Sequence, residues 1–247
     1  ALSPRSGPPG IGKSMIARRI VHLIDLSIAT RALIGAEYGV WGVDGTGIGA
    51  IWEGGVPFRA PHHTVSAGAM VGSIQKEHRA ICPDHHERYQ PAQEWPAAMR
   101  ERWAYAKCNC DRSERIFRPG ELHLARGGVL YLDEIIEFSR LTLERTSETW
   151  RAMAPATRPL IVAAANPCPC GWHGSAHREC VCSPAAIERY RERLDRACAA
   201  FGIATQIALP VLTMVDMRSA PRGPSTAALR RGIQINRHRA ALDAIAA

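Results

Sequence analysis

The stretch GPPGIGKS at residues 7–14 constrains the fold of this chain more than any other feature. It fits the pattern G-x-x-x-x-G-K-[ST], whose glycines let backbone N–H groups converge on the phosphates of a nucleotide. In this pattern Lys13 adds a positive charge beside the phosphates, and the hydroxyl of Ser14 can hold Mg²⁺. The residues that follow, MIARRIVHLI, have apolar side chains at helical spacing, so the loop is predicted to open a helix whose positive end faces the anion. A glycine–proline turn adopted for steric reasons alone is the competing interpretation.

The composition is that of an ordinary globular protein with a basic balance. Of the 247 residues, 46% are hydrophobic and 22% are charged, which allows one large or two small domains. No apolar run approaches about 18 residues and no secretory signal is visible. We therefore expect no membrane span, a cytoplasmic location, and eight cysteines that are reduced or bound to metal. A formal charge of +8 favours a polyanionic partner, although a solvated basic helix face gives the same balance.

Two short apolar runs indicate strands buried on both faces of a parallel sheet. They are GVLYLDEIIEF at 128–138 and RPLIVAAANP at 158–167. We predict one helix from the loop to residue 34, a charged helix at 185–200, and a final short strand in QIALPVL. Strands that alternate with helices after a P-loop indicate an α/β fold, with a doubly wound parallel sheet flanked by helices. The preceding ALSPRS is a poor strand, so the strand that should lead into the loop is expected upstream of this sequence or lost.

Changes in composition divide the chain into four segments. Residues 35–55 are glycine-rich and predict a flexible loop or irregular insertion. Residues 75–115 mix charged, aromatic, histidine and cysteine residues, which predicts an inserted, partly helical surface element. The predicted boundaries are 1–74 for the P-loop and first part of the core, 75–115 for the insertion, 116–216 for the rest of the core, and 217–247 for a C-terminal helical tail without a recognisable lid.

Polar residues at the ends of the two apolar runs are the candidates for catalysis. Acids that follow a buried strand point into the crevice at the carboxyl ends of the strands. There Asp133 would hold Mg²⁺, and Glu134 would polarise the attacking water. Asn166 ends the next run, where it either reaches the γ-phosphate and the water or closes a simple strand-ending turn.

These residues and several longer phrases carry a resemblance to a known family. FRAPHHT at 58–64, RPGELHLARGGVLYLDEIIEFSR at 118–140 and VAAANPCPCG at 162–171, with CVCSP and IERYRERL, closely resemble the magnesium-chelatase-like AAA+ ATPases of the ComM (YifB) competence type. The likeness covers roughly residues 6–74 and 116–196. It implies a P-loop AAA+ core that uses ATP and Mg²⁺ and assembles with copies of itself into a ring, expected to be a hexamer. It also implies DNA as a partner, because ComM-type relatives are regarded as DNA branch-migration helicases.

The resemblance also assigns roles to individual residues. Those implied to bind the nucleotide and its Mg²⁺ are Gly7, Pro8, Pro9, Gly10, Ile11, Gly12, Lys13, Ser14 and Asp133. Those implied to be catalytic are Glu134 of the Walker B pair, the sensor-1 residue Asn166 and the arginine-finger candidate Arg196. Arg196 closes the phrase LDR at 194–196 and would act on the nucleotide of a neighbouring subunit, so that activity would require assembly.

Two further interpretations stand beside that of a DNA motor. Magnesium chelatase motor subunits share this architecture and act through protein partners without DNA. A third interpretation is an inactive nucleotide-binding remnant, which the absence of a recognisable first strand and lid would favour.

Four cysteines form a separate candidate site, a metal centre. They are Cys168, Cys170, Cys180 and Cys182. Four thiolates can close a tetrahedral Zn²⁺ site, but C-x-C is tighter than the common C-x₂₋₄-C spacing. Pro169 and Gly171 allow the sharp turn that shared coordination requires. Bound zinc and four reduced thiols are the two alternatives.

Overall fold

A computed structural model describes residues 2–3, 12–40, 52–53, 56–78, 113–175, 178–209, 218–219, 221 and 223–234. The strands are β1 (Leu2–Ser3), β2 (Trp52–Glu53), β3 (Val56–Arg59), β4 (Ser73–His78), β5 (Ser113–Arg118), β6 (Val129–Leu132), β7 (Leu160–Ala163) and β8 (Thr205–Gln206). The helices are α1 (Lys13–Ile20), α2 (Ile28–Val40), α3 (Ala67–Val71), α4 (Glu121–Leu124), α5 (Arg140–Ala152) and α6 (Pro184–Ala200). Residues 226–234 are also helical.

The main sheet has four strands in the order β2–β3–β6–β7. Strands β3, β6 and β7 are parallel, and β2 is antiparallel to β3 at its edge. Every residue of β6 is buried, because helices cover both faces of the sheet. The side chains of Leu130 and Leu132 join one core cluster, and those of Val129 and Tyr131 join the other. This alternation confirms the predicted α/β fold with a parallel sheet flanked by helices.

The larger of the two core clusters contains buried residues of α3, α4 and α6 and the partly buried Trp150 of α5. Serine side chains cap the first turns of α5 and α6. The hydroxyl of Ser139 accepts from the backbone N–H of Thr142, and that of Ser183 accepts from Ala186. The predicted charged helix at 185–200 is confirmed as α6, with Pro184 at its first turn.

Two of the residues before the P-loop, Leu2 and Ser3, form a short strand, contrary to our expectation. Leu2–Ser3 pairs in parallel with Thr205–Gln206 and lies beside β7. Tertiary pairing therefore overrides the poor strand propensity of ALSPRS. The final strand occupies Thr205–Gln206, so it overlaps only the start of the predicted QIALPVL strand.

The helical segment after the loop also differs from the prediction. Helix α1 ends at Ile20, a 3-10 turn covers Val21–Leu23, and α2 runs on to Val40. Residues 35–40, predicted as loop, are therefore helical, because the buried Ile34 anchors α2 and isolated glycines only weaken a helix. Among the described residues, no helix has the length and apolar character that crossing a bilayer requires.

Residues Ser73–Arg118 form the second of two compact units, and the rest of the chain forms the first. In this second unit β4 pairs antiparallel with β5, with Ser73 opposite Arg118 and His78 opposite Ser113. The partly helical character predicted for 75–115 concerns mainly residues 79–112, which lie outside the described residues.

Candidate nucleotide-binding site

The end of the P-loop lies over the carboxyl ends of the parallel strands. Gly12 has φ 84°, a left-handed conformation that favours glycine, and it precedes the first residue of α1. Below it opens a cavity of about 350 Å³, lined by Gly12, Lys13, Ser14, Met15, Asp133, Glu134 and Asn166. The structure thus brings together residues from three distant parts of the sequence. Gly7, Pro8, Pro9, Gly10 and Ile11 lie outside the described residues.

Lys13 lines this cavity and is held there by the segment after β7. Its ammonium Nζ donates to Oδ1 of Asn166 at 2.7 Å and to the backbone oxygen of Ala165 at 3.4 Å. Burial lowers the pKa of Lys13, and the charges of Asp133 and Glu134 oppose that shift. The ammonium therefore lies near two acids and a strand-terminal amide, where a phosphate would find a positive charge.

Ser14 and Asp133 provide oxygen atoms of the kind that Mg²⁺ prefers. The hydroxyl of Ser14 donates to Oδ2 of Asp133 at 3.0 Å and lies 3.4 Å from the hydroxyl of Tyr131. Hard divalent cations take carboxylate and hydroxyl oxygens, so this pair fits magnesium. Burial raises the pKa of Tyr131 above its usual range, so this hydroxyl stays protonated beside Asp133.

Glu134 occupies a strained backbone position directly after Asp133. It has φ 52° and ψ 53°, and it is the one non-glycine residue with positive φ in the part of the chain that the structure describes. The backbone N–H of Ile135 donates to the oxygen of Ala164 at 3.0 Å, which fixes the turn to the strand beside it. A left-handed residue between a buried strand and a 3-10 turn redirects the chain abruptly, and strain of this kind clusters at functional sites.

Asn166 is fixed through its backbone as well as its side chain. Its backbone N–H donates to the hydroxyl of Tyr190 on α6 at 3.1 Å. Sequence reasoning did not identify Tyr190 or Tyr131 as part of the site. A signal existed for Tyr131, because it lies in β6 two residues before Asp133, and alternate residues of an extended chain project to the same side. No local pattern pointed to Tyr190.

Arg196 is not among the residues that line the cavity. It lies exposed on α6. A role on the nucleotide of another subunit, as predicted from the resemblance, stays a prediction.

The four cysteines come together in the loop between β7 and α6. The sulfur of Cys168 lies 3.4 Å from that of Cys170 and 3.7 Å from that of Cys180, and Cys170 and Cys180 are 3.6 Å apart. The sulfur of Cys182 completes the group, and all four sulfur atoms lie within 4.8 Å of one another. Hydrogen bonds, first among them one from the backbone of Trp172, lower the pKa of Cys170 to about 6. The cluster therefore offers an ionisable sulfur beside three others.

The fold and the site together define a class. A parallel sheet covered on both faces, a loop–helix that presents Lys13, and polar residues at the ends of two neighbouring strands are typical of a P-loop protein with an AAA+ core. The chain belongs to the family described as magnesium chelatase, subunit ChlI, whose profile matches residues 5–84 and 109–211.

Individual relatives extend this likeness. The chain is 30% identical to the uncharacterized protein YifB of Escherichia coli, over 94% of this chain and 40% of that protein. It is 27% identical to a Mycobacterium tuberculosis protein, Rv2897c, over 96% of this chain and 40% of that protein. It is 29% identical to the competence protein ComM of Haemophilus influenzae, over 76% of this chain and 31% of that protein. The chain thus spans two fifths or less of the length of these relatives, and it is of the ComM/YifB type.

Proposed function

We propose that this chain hydrolyses ATP with Mg²⁺ as part of an AAA+ motor that assembles with copies of itself and acts on DNA. One observation carries the ATPase part. Lys13 is hydrogen-bonded to Asn166, and Ser14 to Asp133, so two loop residues and two strand-end residues line one cavity. The likeness to the competence protein ComM and the formal charge of +8 support DNA as the partner.

Each residue has a distinct task in this proposal. The ammonium of Lys13, which donates to Asn166, would turn some of its N–H donors to the terminal phosphates of ATP and hold them in position for attack. The oxygens of Ser14 and Asp133 would hold Mg²⁺. When bound, that ion neutralises charge that develops on the phosphate oxygens. The carboxylate of Glu134 would orient the attacking water, and the amide of Asn166 would fix the position of that water against the γ-phosphate.

Steady-state ATP hydrolysis tests this function. The matched blank is Lys13→Ala, and Glu134→Gln should retain nucleotide binding while it loses turnover, because the amide is a poor partner for the attacking water. We expect hydrolysis above the Lys13→Ala blank and a rate that rises when DNA is added. Hydrolysis no faster than the blank would refute the ATPase and leave the inactive remnant.

The response to DNA separates the DNA motor from a motor that acts on a protein partner. Contacts to phosphates release counterions, so the stimulation by DNA should weaken steeply as salt is raised. Robust hydrolysis that is indifferent to DNA at low salt would contradict the DNA part of the proposal and favour the magnesium-chelatase-type motor. Sedimentation of the chain with and without ATP would test assembly into a ring.

We further propose that the four cysteines bind one zinc ion. Zn–S bonds of about 2.3 Å in tetrahedral geometry separate the sulfurs by about 3.8 Å. The sulfur separations of 3.4, 3.6 and 3.7 Å lie close to that value. The backbone N–H of His173 donates to the sulfur of Cys168, and that of Cys170 to the sulfur of Cys182. Such N–H···S bonds stabilise thiolates, as ligands to a cation require.

Metal analysis of protein purified without chelators tests the zinc proposal. We expect about one zinc per chain, and loss of that zinc from the Cys170→Ser, Cys180→Ser double variant. Cys198→Ala is the matched control, because Cys198 is buried on α6 and does not belong to the group of four sulfurs, so its removal should leave the metal content unchanged. A native chain without zinc would leave four reduced thiols as the answer.

A further inference from the structure

We propose that Tyr190 and Arg193 of α6 are positioning residues that hold Asn166 and the turn after Glu134 in the geometry needed for hydrolysis. The inference rests on the proposed ATPase and deepens it. Neither residue lines the nucleotide cavity, so both would act through their partners.

Tyr190 holds the segment that carries Asn166. Its hydroxyl accepts a hydrogen bond of 3.1 Å from the backbone N–H of Asn166, while the side-chain oxygen of Asn166 accepts from Lys13. Tyr190 is 8% exposed and belongs to the large core cluster, so its ring is fixed by packing. Burial, chiefly, raises the pKa of Tyr190 to about 12, so the hydroxyl is neutral at working pH.

Arg193 holds the turn that follows Glu134. Its guanidinium Nη2 donates to the backbone oxygen of Ile136 at 2.8 Å. Ile136 lies in the 3-10 turn Ile135–Glu137, in which the N–H of Glu137 donates back to the oxygen of Glu134 at 2.8 Å. A bond to this turn opposes relaxation of the left-handed backbone at Glu134, which a non-glycine residue adopts only under external constraint.

One face of one helix therefore contacts both catalytic segments. Residues three apart on a helix are neighbours, so the side chains at 190 and 193 project side by side. The cap of this helix, Ser183, follows Cys182 directly, so the cysteine loop leads straight into α6. A rigid helix that contacts both segments keeps Glu134 and Asn166 in a fixed position relative to each other.

Hydrogen exchange tests the Tyr190 contact independently of activity. The sequence has only three asparagines, at 109, 166 and 236, so selective ¹⁵N-asparagine labelling gives a sparse set of amide signals. In the native chain the amide of Asn166 should exchange slowly, and in Tyr190→Phe it should exchange about tenfold faster, because only the acceptor is removed. Equal exchange rates in the two proteins would overturn the anchor.

Turnover tests the catalytic consequence. We expect Tyr190→Phe and Arg193→Gln to lower kcat about tenfold with little change in the KM for ATP, because they misplace groups that act in the transition state. Arg193→Lys retains a donor and should recover part of the loss. Arg191 is exposed on the same helix, and Arg191→Gln should match the native rate. An unchanged kcat in both variants would overturn the positioning role.

The two arms separate failure of this inference from failure of the proposed function. A native chain that hydrolyses no ATP counts against the ATPase, and the exchange rate of Asn166 still decides whether Tyr190 holds it. If the native protein is active and the turnover of Tyr190→Phe is unaltered, the result counts against the positioning role alone.

Discussion

At Gly128, just before β6, the backbone approaches β3 more closely than any residue with a side chain would allow. A Cβ placed there would lie 1.8 Å from the backbone oxygen of Pro57, with the carbon and nitrogen of Pro57 at 2.7 and 2.8 Å. Because real Cβ contacts essentially never fall below 3.0 Å, Gly128→Ala must push β3 away from β6 by more than about 1 Å. That shift separates the parallel pairs Phe58–Val129 and Arg59–Leu130.

The expected loss follows from what those pairs contribute. Ladder hydrogen bonds contribute about 1 kcal/mol each, and displacement of well-packed core residues adds about 1–3 kcal/mol. We therefore expect Gly128→Ala to lower the free energy of unfolding by about 3 kcal/mol or more. Gly68→Ala is the matched control, because a Cβ there meets nothing within 4 Å and an alanine in α3 should stabilise by about 0.5–1 kcal/mol.

Urea denaturation followed by circular dichroism measures both variants, with the m-value as the check on two-state behaviour. A Gly128→Ala chain within about 1 kcal/mol of the native protein would refute the reasoning. It would mean that β3 and β6 adjust to each other far more easily than their backbone contact allows.

Three other predictions concern the stability of the first unit. Burial, and then the charge of Arg126, lower the pKa of His123 to about 4 from 6.5, so between these values the unfolded chain binds a proton that the folded chain does not. Stability should fall as pH drops from 6.5 to 4, by about 1–3 kcal/mol after allowance for solvent screening, and His123→Gln should flatten that loss in denaturation curves at several pH values. The guanidinium of Arg59 contacts both carboxylate oxygens of Glu121 at 2.5 and 2.7 Å, so a double-mutant cycle with alanine should give a coupling of about 1–2 kcal/mol, and a coupling near zero would contradict this. Leu132 is fully buried, and Leu132→Ala should cost about 2–5 kcal/mol in the same unfolding assay, with a smaller loss indicating collapse of the cavity.

Sequence reasoning predicted the strands that lead to Asp133 and Asn166, because a run of apolar residues closed by polar ones has few other interpretations. It predicted α6 from its charged composition alone, and the Ser183 cap and Pro184 that start the helix one residue earlier were recognised only in the structure. It failed at β1 and at the end of α2. There the outcome depends on pairing with Thr205–Gln206 and on burial of Ile34, both of which involve residues far away in the chain.

The sequence by itself determined which polar groups come together in the cavity. The loop pattern required Lys13 and Ser14, and the polar ends of two apolar runs supplied Asp133, Glu134 and Asn166, because parallel strands present their carboxyl ends at one edge. Only the tertiary structure decided how those groups are held. The bond from Asn166 to Tyr190 and the bond from Arg193 to the turn after Glu134 arise from α6 packing against that edge, and Glu134 itself adopts a left-handed backbone. A helix carries no local mark of the distant backbone atoms that its side chains will contact, so these bonds become visible only once the chain is folded.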